Sequence, residues 1–253
     1  MTTRTSRLGR IPGKYLTDGP IARFIPAVFL FGVPSLWLGA TLGRGVPAAL
    51  MTLGLFAVVA LLAIRGLWLF YPHSRLGLCN LVTLLRAAIV AALAAVLVGP
   101  STLDDGTAWA VAGLAAATLA LDGLDGWLAR SSGLVSSFGA RFDMEVDSLF
   151  AVILALAVWQ TDKVGAWVLL LGTMRYIFLV ASWVWPWLAA PVPVGTLRRK
   201  TVCVAQIATL VALIAPVIVP PVSVVIAGLA TGVLIWSFAA DILWLHRNKG
   251  SAP

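Results

Sequence analysis

Charge is scarce in this sequence: 11% of its 253 residues are Asp, Glu, Lys or Arg, while 60% are hydrophobic. A soluble domain carries about a quarter charged residues and about half apolar ones, so soluble globular readings are excluded. Cysteine is rare too. Cys79 and Cys203 fall at or inside apolar runs without metal-ligand spacing, which excludes a disulfide-stapled scaffold. The two histidines, His73 and His246, lie far apart with no zinc pattern, and are expected at the membrane interface. Alternating strands of roughly ten residues, which a transmembrane barrel requires, are missing, as are internal repeats and low-complexity tracts. No small-residue cleavage site follows the first apolar run, so that run is expected to be retained.

What the chain does have is a series of apolar runs, each near the 20 or so residues that a helix needs to cross a bilayer. Eight spans are expected, at about 25–43, 46–70, 80–98, 107–130, 138–159, 164–186, 201–219 and 222–245. Gly, Pro and polar residues separate them, for example Gly45 to Pro47, Gly99 to Gly106 and Pro220–Pro221. Length, not periodicity, makes these runs helices.

The net charge of +8 is distributed beside the ends of the runs. That placement suits topology and anionic lipid head groups, and argues against a nucleic-acid partner. With the N-terminus inside, twelve basic residues fall on inner segments, among them Arg4, Arg75, Arg130, Arg198, Arg199 and Lys200. Outer loops hold only Arg44 and Lys163. Both termini are therefore expected in the cytoplasm of a cell or inner membrane. Trp68, Trp109, Trp159 and Trp187 sit near span ends, as interfacial anchors do.

Ionisable side chains inside a membrane are costly and call for a reason. Five of the ten acidic residues lie between Asp122 and Asp147. On a helix, Asp122, Asp125, Gly126, Ala129 and Arg130 fall within an arc of about 140°, and Gly139, Asp143 and Asp147 within about 80°. Asp122 and Asp147 are each about 12 Å from the loop joining their helices, so four carboxylates are expected at one level near the cytoplasmic face, which makes the site cytoplasmic. Such a group would repel itself unless neutralised. Hard divalent cations, magnesium or manganese, suit an all-oxygen donor set and also bind phosphate. Gly126 and Gly139 leave room between the helices for a flat base or a diphosphate, or serve close packing.

The same residues follow the pattern D-x2-D-G-x2-A-R, eight residues, G-x3-D-x3-D, with every fixed position and spacing met by Asp122, Asp125, Gly126, Ala129, Arg130, Gly139, Asp143 and Asp147. In this the chain resembles the CDP-alcohol phosphotransferase family. The resemblance implies a six-helix catalytic core over 79–246 in an all-α polytopic bundle; the charges and apolar runs add a basic cytoplasmic leader over 1–23, two additional N-terminal transmembrane helices with a linker over 24–78, and a cytoplasmic tail over 247–253. The resemblance also implies that a CDP-linked donor passes its phosphoalcohol part to an acceptor hydroxyl with release of CMP. Asp122, Asp125 and Asp143 then look like metal ligands, for two divalent ions. Asp147 looks like the base for the acceptor hydroxyl and a further ligand. Gly126, Ala129, Arg130 and Gly139 look like CDP-site residues.

Asn80, Thr83 and Arg86 recur at three-residue steps along one stripe, in a segment similar to the family's P-N-x-x-T-x-x-R with Cys79 in place of proline. Asn80 and Thr83 are expected at the CDP moiety, with helix capping as the alternative for Asn80. Arg175 lies inside a span, and Arg198 and Arg199 at the start of one; these three are candidates for an acceptor phosphate, against structural pairing or anchoring. Arg65 and Asp241 are expected to pair with each other, and Glu145 with Arg141. The reading that follows is phosphatidyl transfer from CDP-diacylglycerol to a small alcohol, in a lipid bilayer, with a homodimer left open. CDP-amino-alcohol transfer to diacylglycerol is the alternative within the class, and a divalent-cation transporter the alternative outside it.

Overall fold

Proline and glycine open the first two helices. Pro20 occupies the first position of α1 (Pro20–Leu42) after Gly19, and Gly45, at φ 121°, precedes α2 (Val46–Phe70). Proline has no N–H to lose at a helix start. Pro26 and Pro34 lie within α1, where Ser35 donates to the Gly32 carbonyl at 2.8 Å. The computed structural model describes residues 19–99, 103–132, 136–190 and 197–248, with side chains described outside 124–132. The leader cations Arg4, Arg7, Arg10 and Lys14 lie outside the described residues.

Six further helices follow. α3 (Leu78–Leu93) continues as a 3-10 turn to Val98, and α4 covers Asp105–Ser132 and α5 Ser137–Gln160. α6 (Leu169–Val184) is entered through the 3-10 turn Ala166–Val168, and α7 (Leu197–Ile214) and α8 (Val222–Arg247) complete the bundle. There is no strand among the described residues, so the all-α polytopic expectation holds. Side chains fix two of the starts. Asp104 accepts the Thr107 backbone N–H at 3.0 Å ahead of α4, and Ser136 accepts the Gly139 N–H at 3.0 Å ahead of α5. The Thr107 backbone N–H, and then its hydroxyl, hold the Asp104 carboxyl below its ordinary range.

Among the described residues, five helices are long and apolar enough to cross a membrane: α1, α2, α3 with its 3-10 extension, α6 with its entry turn, and α8. The other three, α4, α5 and α7, carry the aspartates and the Arg198–Lys200 cluster. α3 is the axis of the bundle. Ala87, Ala88, Ala91, Ala92, Ala94 and Ala95 are all buried, and such small side chains let neighbouring helices approach closely. α1, α2, α4 and α5 all pack against α3. α7 closes the other side, touching both α4 and α5, so α3, α4, α7 and α5 form a ring.

Contacts at one end confirm that the helices alternate in direction. Arg44 pairs with Asp104, Gln160 donates to the Leu97 carbonyl at 3.1 Å, and Ser223 donates to the Lys163 carbonyl at 2.8 Å. Lys163 donates to the carbonyls of Leu213, Ile214 and Ala215 at 2.7–3.4 Å, satisfying the end of α7. Burial pulls its ammonium below the ordinary lysine range. The outer faces present large apolar side chains, such as Trp37, Leu61 and Leu229, as lipid contact requires.

Candidate functional site

The ring of helices encloses the aspartates. Asp122 comes from α4, and Asp143 and Asp147 from successive turns of α5. One carboxylate oxygen from each lies within 4.8 Å of the other two. Their side chains are 20%, 35% and 22% exposed, so the cluster is recessed but reachable. The helical phase read from the sequence therefore places these three together. Asp125, Gly126, Ala129 and Arg130 lie on α4 in the backbone trace, but their side chains are outside the described set.

Among the described side chains, the centre of the cluster is Arg86 of α3, 1% exposed. Its guanidinium stands 3.1 Å from Asp122 and 2.5 Å from Asp143, and it also pairs with Asp147. One cation against three carboxylates leaves surplus negative charge. A fixed planar fork is well suited to bridging several carboxylates. The sequence reading placed Arg86 on the stripe of α3 but not in the site. The signal was there: an intramembrane arginine in register with Asn80 and Thr83.

Asn80 is 1% exposed and sits inside α3, whose start is flanked by Gly77, so it does not cap the helix. Its amide donates to the Tyr71 hydroxyl at 3.4 Å. A Cβ on Gly139 would come within 2.9 Å of the Asn80 side-chain amide oxygen Oδ1. Gly139 thus brings α5 against α3 through Asn80. The Thr83 hydroxyl is spent on the Cys79 carbonyl at 3.0 Å within its own helix. α7 packs against both α4 and α5, and so forms the wall of the ring opposite α3.

Other charged residues find partners away from the cluster. Arg175 of α6 pairs with Glu145 at 2.5 Å, donates to the Met144 carbonyl at 2.9 Å and meets the Ser148 hydroxyl. Glu145 faces away from the aspartates, as its helical phase requires, but its partner is Arg175 and not Arg141. Asp241 of α8 pairs with Arg198 and, at 3.4 Å, with Arg199, and Arg198 also stands over the Trp236 ring at 5.5 Å. The expected Arg65–Asp241 pair is therefore replaced by one between neighbouring helices α7 and α8, and Arg65 is exposed on α2.

All donors at the cluster are carboxylate oxygens, the set that hard divalent ions favour, so the residues fit such an ion. Compared with known proteins, the chain matches the family model for CDP-alcohol phosphatidyltransferase over residues 76–240, a stretch that takes in α3 to α7 and most of α8. No curated protein and no solved structure matches.

Proposed function

Because the chain belongs to the CDP-alcohol phosphatidyltransferase family, we propose that it transfers a phosphatidyl group from CDP-diacylglycerol to a small alcohol, releasing CMP, in phospholipid synthesis. The observation that carries this reading is the convergence of Asp122, Asp143 and Asp147 within 4.8 Å in a recessed ring of helices.

Asp122, Asp125, Asp143 and Asp147 would hold the divalent ions, magnesium or manganese, which offset the diphosphate charge when bound. Asn80, Thr83, Gly126, Ala129, Arg130 and Gly139 form the proposed CDP side of the site. Asp147 takes the proton of the acceptor hydroxyl as that oxygen attacks the phosphorus bearing the diacylglycerol. The new P–O bond forms as the bond to CMP breaks, and CMP leaves with the electron pair. Arg86 supplies countercharge to the same carboxylates, and a donor diphosphate bound beside them would compete for it.

Arg198 and Arg199 remain the proposed acceptor-phosphate residues, together with Arg175. Each would have to share its guanidinium with the carboxylate it now meets. Arg199→Ala should then raise the KM for a phosphorylated acceptor more than the donor KM; equal KM values in variant and parent would return it to a structural role. The decisive experiment on function is a screen of alcohols with purified protein and CDP-diacylglycerol, following CMP release with and without divalent ions. Release that depends on both metal and one alcohol is expected. Full activity after rigorous chelation would remove the ligand assignment, and release only from a CDP-amino-alcohol would reverse the donor.

A further inference from the structure

A groove of about 620 Å³ runs between α2 and α5, on the far side of α5 from the aspartates. Leu62 and Val58 of α2 line one wall, Phe142 and Leu149 of α5 the other. Glu145 and Leu149 lie about 200–240° round the helix from Asp143, so the groove is separate from the reaction site. On α2 it extends from Leu55 to Phe70, about 22 Å along the axis, against about 15 Å of hydrocarbon in one leaflet. The groove is open sideways, since Leu62 is 64% exposed and Val58 54%. An apolar groove facing hydrocarbon offers water no hydrogen-bond partners, and its chemistry suits an acyl chain.

One end of the groove is cationic. Arg141 lines it and is exposed, about 6 Å along α5 from Ser137, and forms no ion pair among the described residues. Glu145, the only carboxylate lining the groove, is already paired with Arg175 at 2.5 Å. Arg65 is exposed on α2 next to Gly66 but does not line the groove. α2 approaches α5 closely there, because a Cβ on Gly66 would lie 2.6 Å from the Phe138 ring. α2 also lies outside the family-matched stretch of 76–240, so one wall of this groove comes from a helix that the family match does not cover.

We propose that the α2–α5 groove is a phospholipid site distinct from the reaction site, in which an anionic phospholipid lays one acyl chain along α2 with its phosphate on Arg141. The test uses the full chain purified in mild detergent, with phosphatidylglycerol or phosphatidylcholine of identical acyl chains added and retention read by native mass spectrometry. Phosphatidylglycerol should be retained about fivefold more, the worth of one basic residue at an anionic membrane surface. Arg141→Gln should abolish the preference, Arg141→Lys should keep most of it, and Leu62→Trp should lower retention of both lipids by occupying the groove. Asp147→Asn should leave the preference unchanged. Equal retention of the two lipids, or a preference that survives Arg141→Gln, overturns the proposal. So does a Leu62→Trp variant that binds like the parent, as when a second copy covers the groove. Loss of the preference in Asp147→Asn would instead place the lipid at the aspartates.

Discussion

Asp147 and Glu145 sit two positions apart on α5 with the same charge, yet one meets Arg86 inside the ring and the other meets Arg175 outside it. Their roles should separate cleanly. Asp147→Asn is expected to lower the rate of CMP release by roughly 10²- to 10⁴-fold, the usual worth of a positioned base, while retaining CDP-lipid binding. Glu145→Gln should keep most activity in the same membranes; a dead glutamine variant beside an active asparagine variant would reverse the assignment. Arg86 calls for a different measurement. Removing one partner of a buried ion cluster costs about 3–5 kcal/mol, here by leaving three carboxylates facing one another. Arg86→Gln should therefore lower thermal stability in chelator, with magnesium restoring part of the loss. A Tm equally depressed with and without magnesium would mean that the ions do not share these carboxylates. The positions of the aspartates were legible because a helix fixes angles between residues four apart. The partners of Glu145 and Asp241 were not, because ion pairs between helices depend on which helices are neighbours and on their axial register.

At the scale of elements, the sequence marked eight apolar runs and the described residues form eight α-helices at those places, with ends shifted by a few residues. The largest shifts are at the α1 start, moved back to Pro20, and at the α7 end, where the helix stops at Ile214 ahead of Pro216. The linker between α2 and α3 held information that hydropathy does not register. The Tyr71 hydroxyl donates to the Arg75 carbonyl at 3.0 Å, and accepts the Gly77 N–H at 3.1 Å and the Asn80 amide. Its ring stands edge-on to Phe138 at 5.9 Å, and Phe138 stacks on Phe142 at 5.7 Å. This one side chain joins the N-terminal pair of helices to the start of α3 and to α5. Tyr71→Phe keeps the ring contacts and orphans the polar ones, at a cost of about 1–3 kcal/mol for buried groups left unsatisfied. The expected result is a lower Tm in detergent together with weaker donor binding, since Asn80 loses its support. An unchanged Tm would show that water replaces the hydroxyl without penalty.

For the whole molecule, the loops near Arg44, Asp104, Lys163 and Ser223 gather at one end of the bundle, while Arg198 opens α7 from the other. From the charge bias, the Arg198 end is expected in the cytoplasm. Single cysteines at Asp104 and Arg198, in a background lacking Cys79 and Cys203, should label from opposite sides of a sealed membrane, with Arg198 protected from the outside reagent. Labelling of both from one side would overturn the eight-span arrangement.

The cluster draws its groups from three separate chain segments, with Arg86 on α3 between aspartates of α4 and α5, and α7 standing opposite. The signature stretch from Asp122 to Asp147 is thus not portable. Transplanted as a helical hairpin into another scaffold, it would bring the acids without the guanidinium that lets them sit together. It would also leave behind the small-residue axis that sets their spacing. Evolution of a new acceptor preference in such a bundle has freedom at its rim, whereas the middle must change, if at all, as a coordinated set.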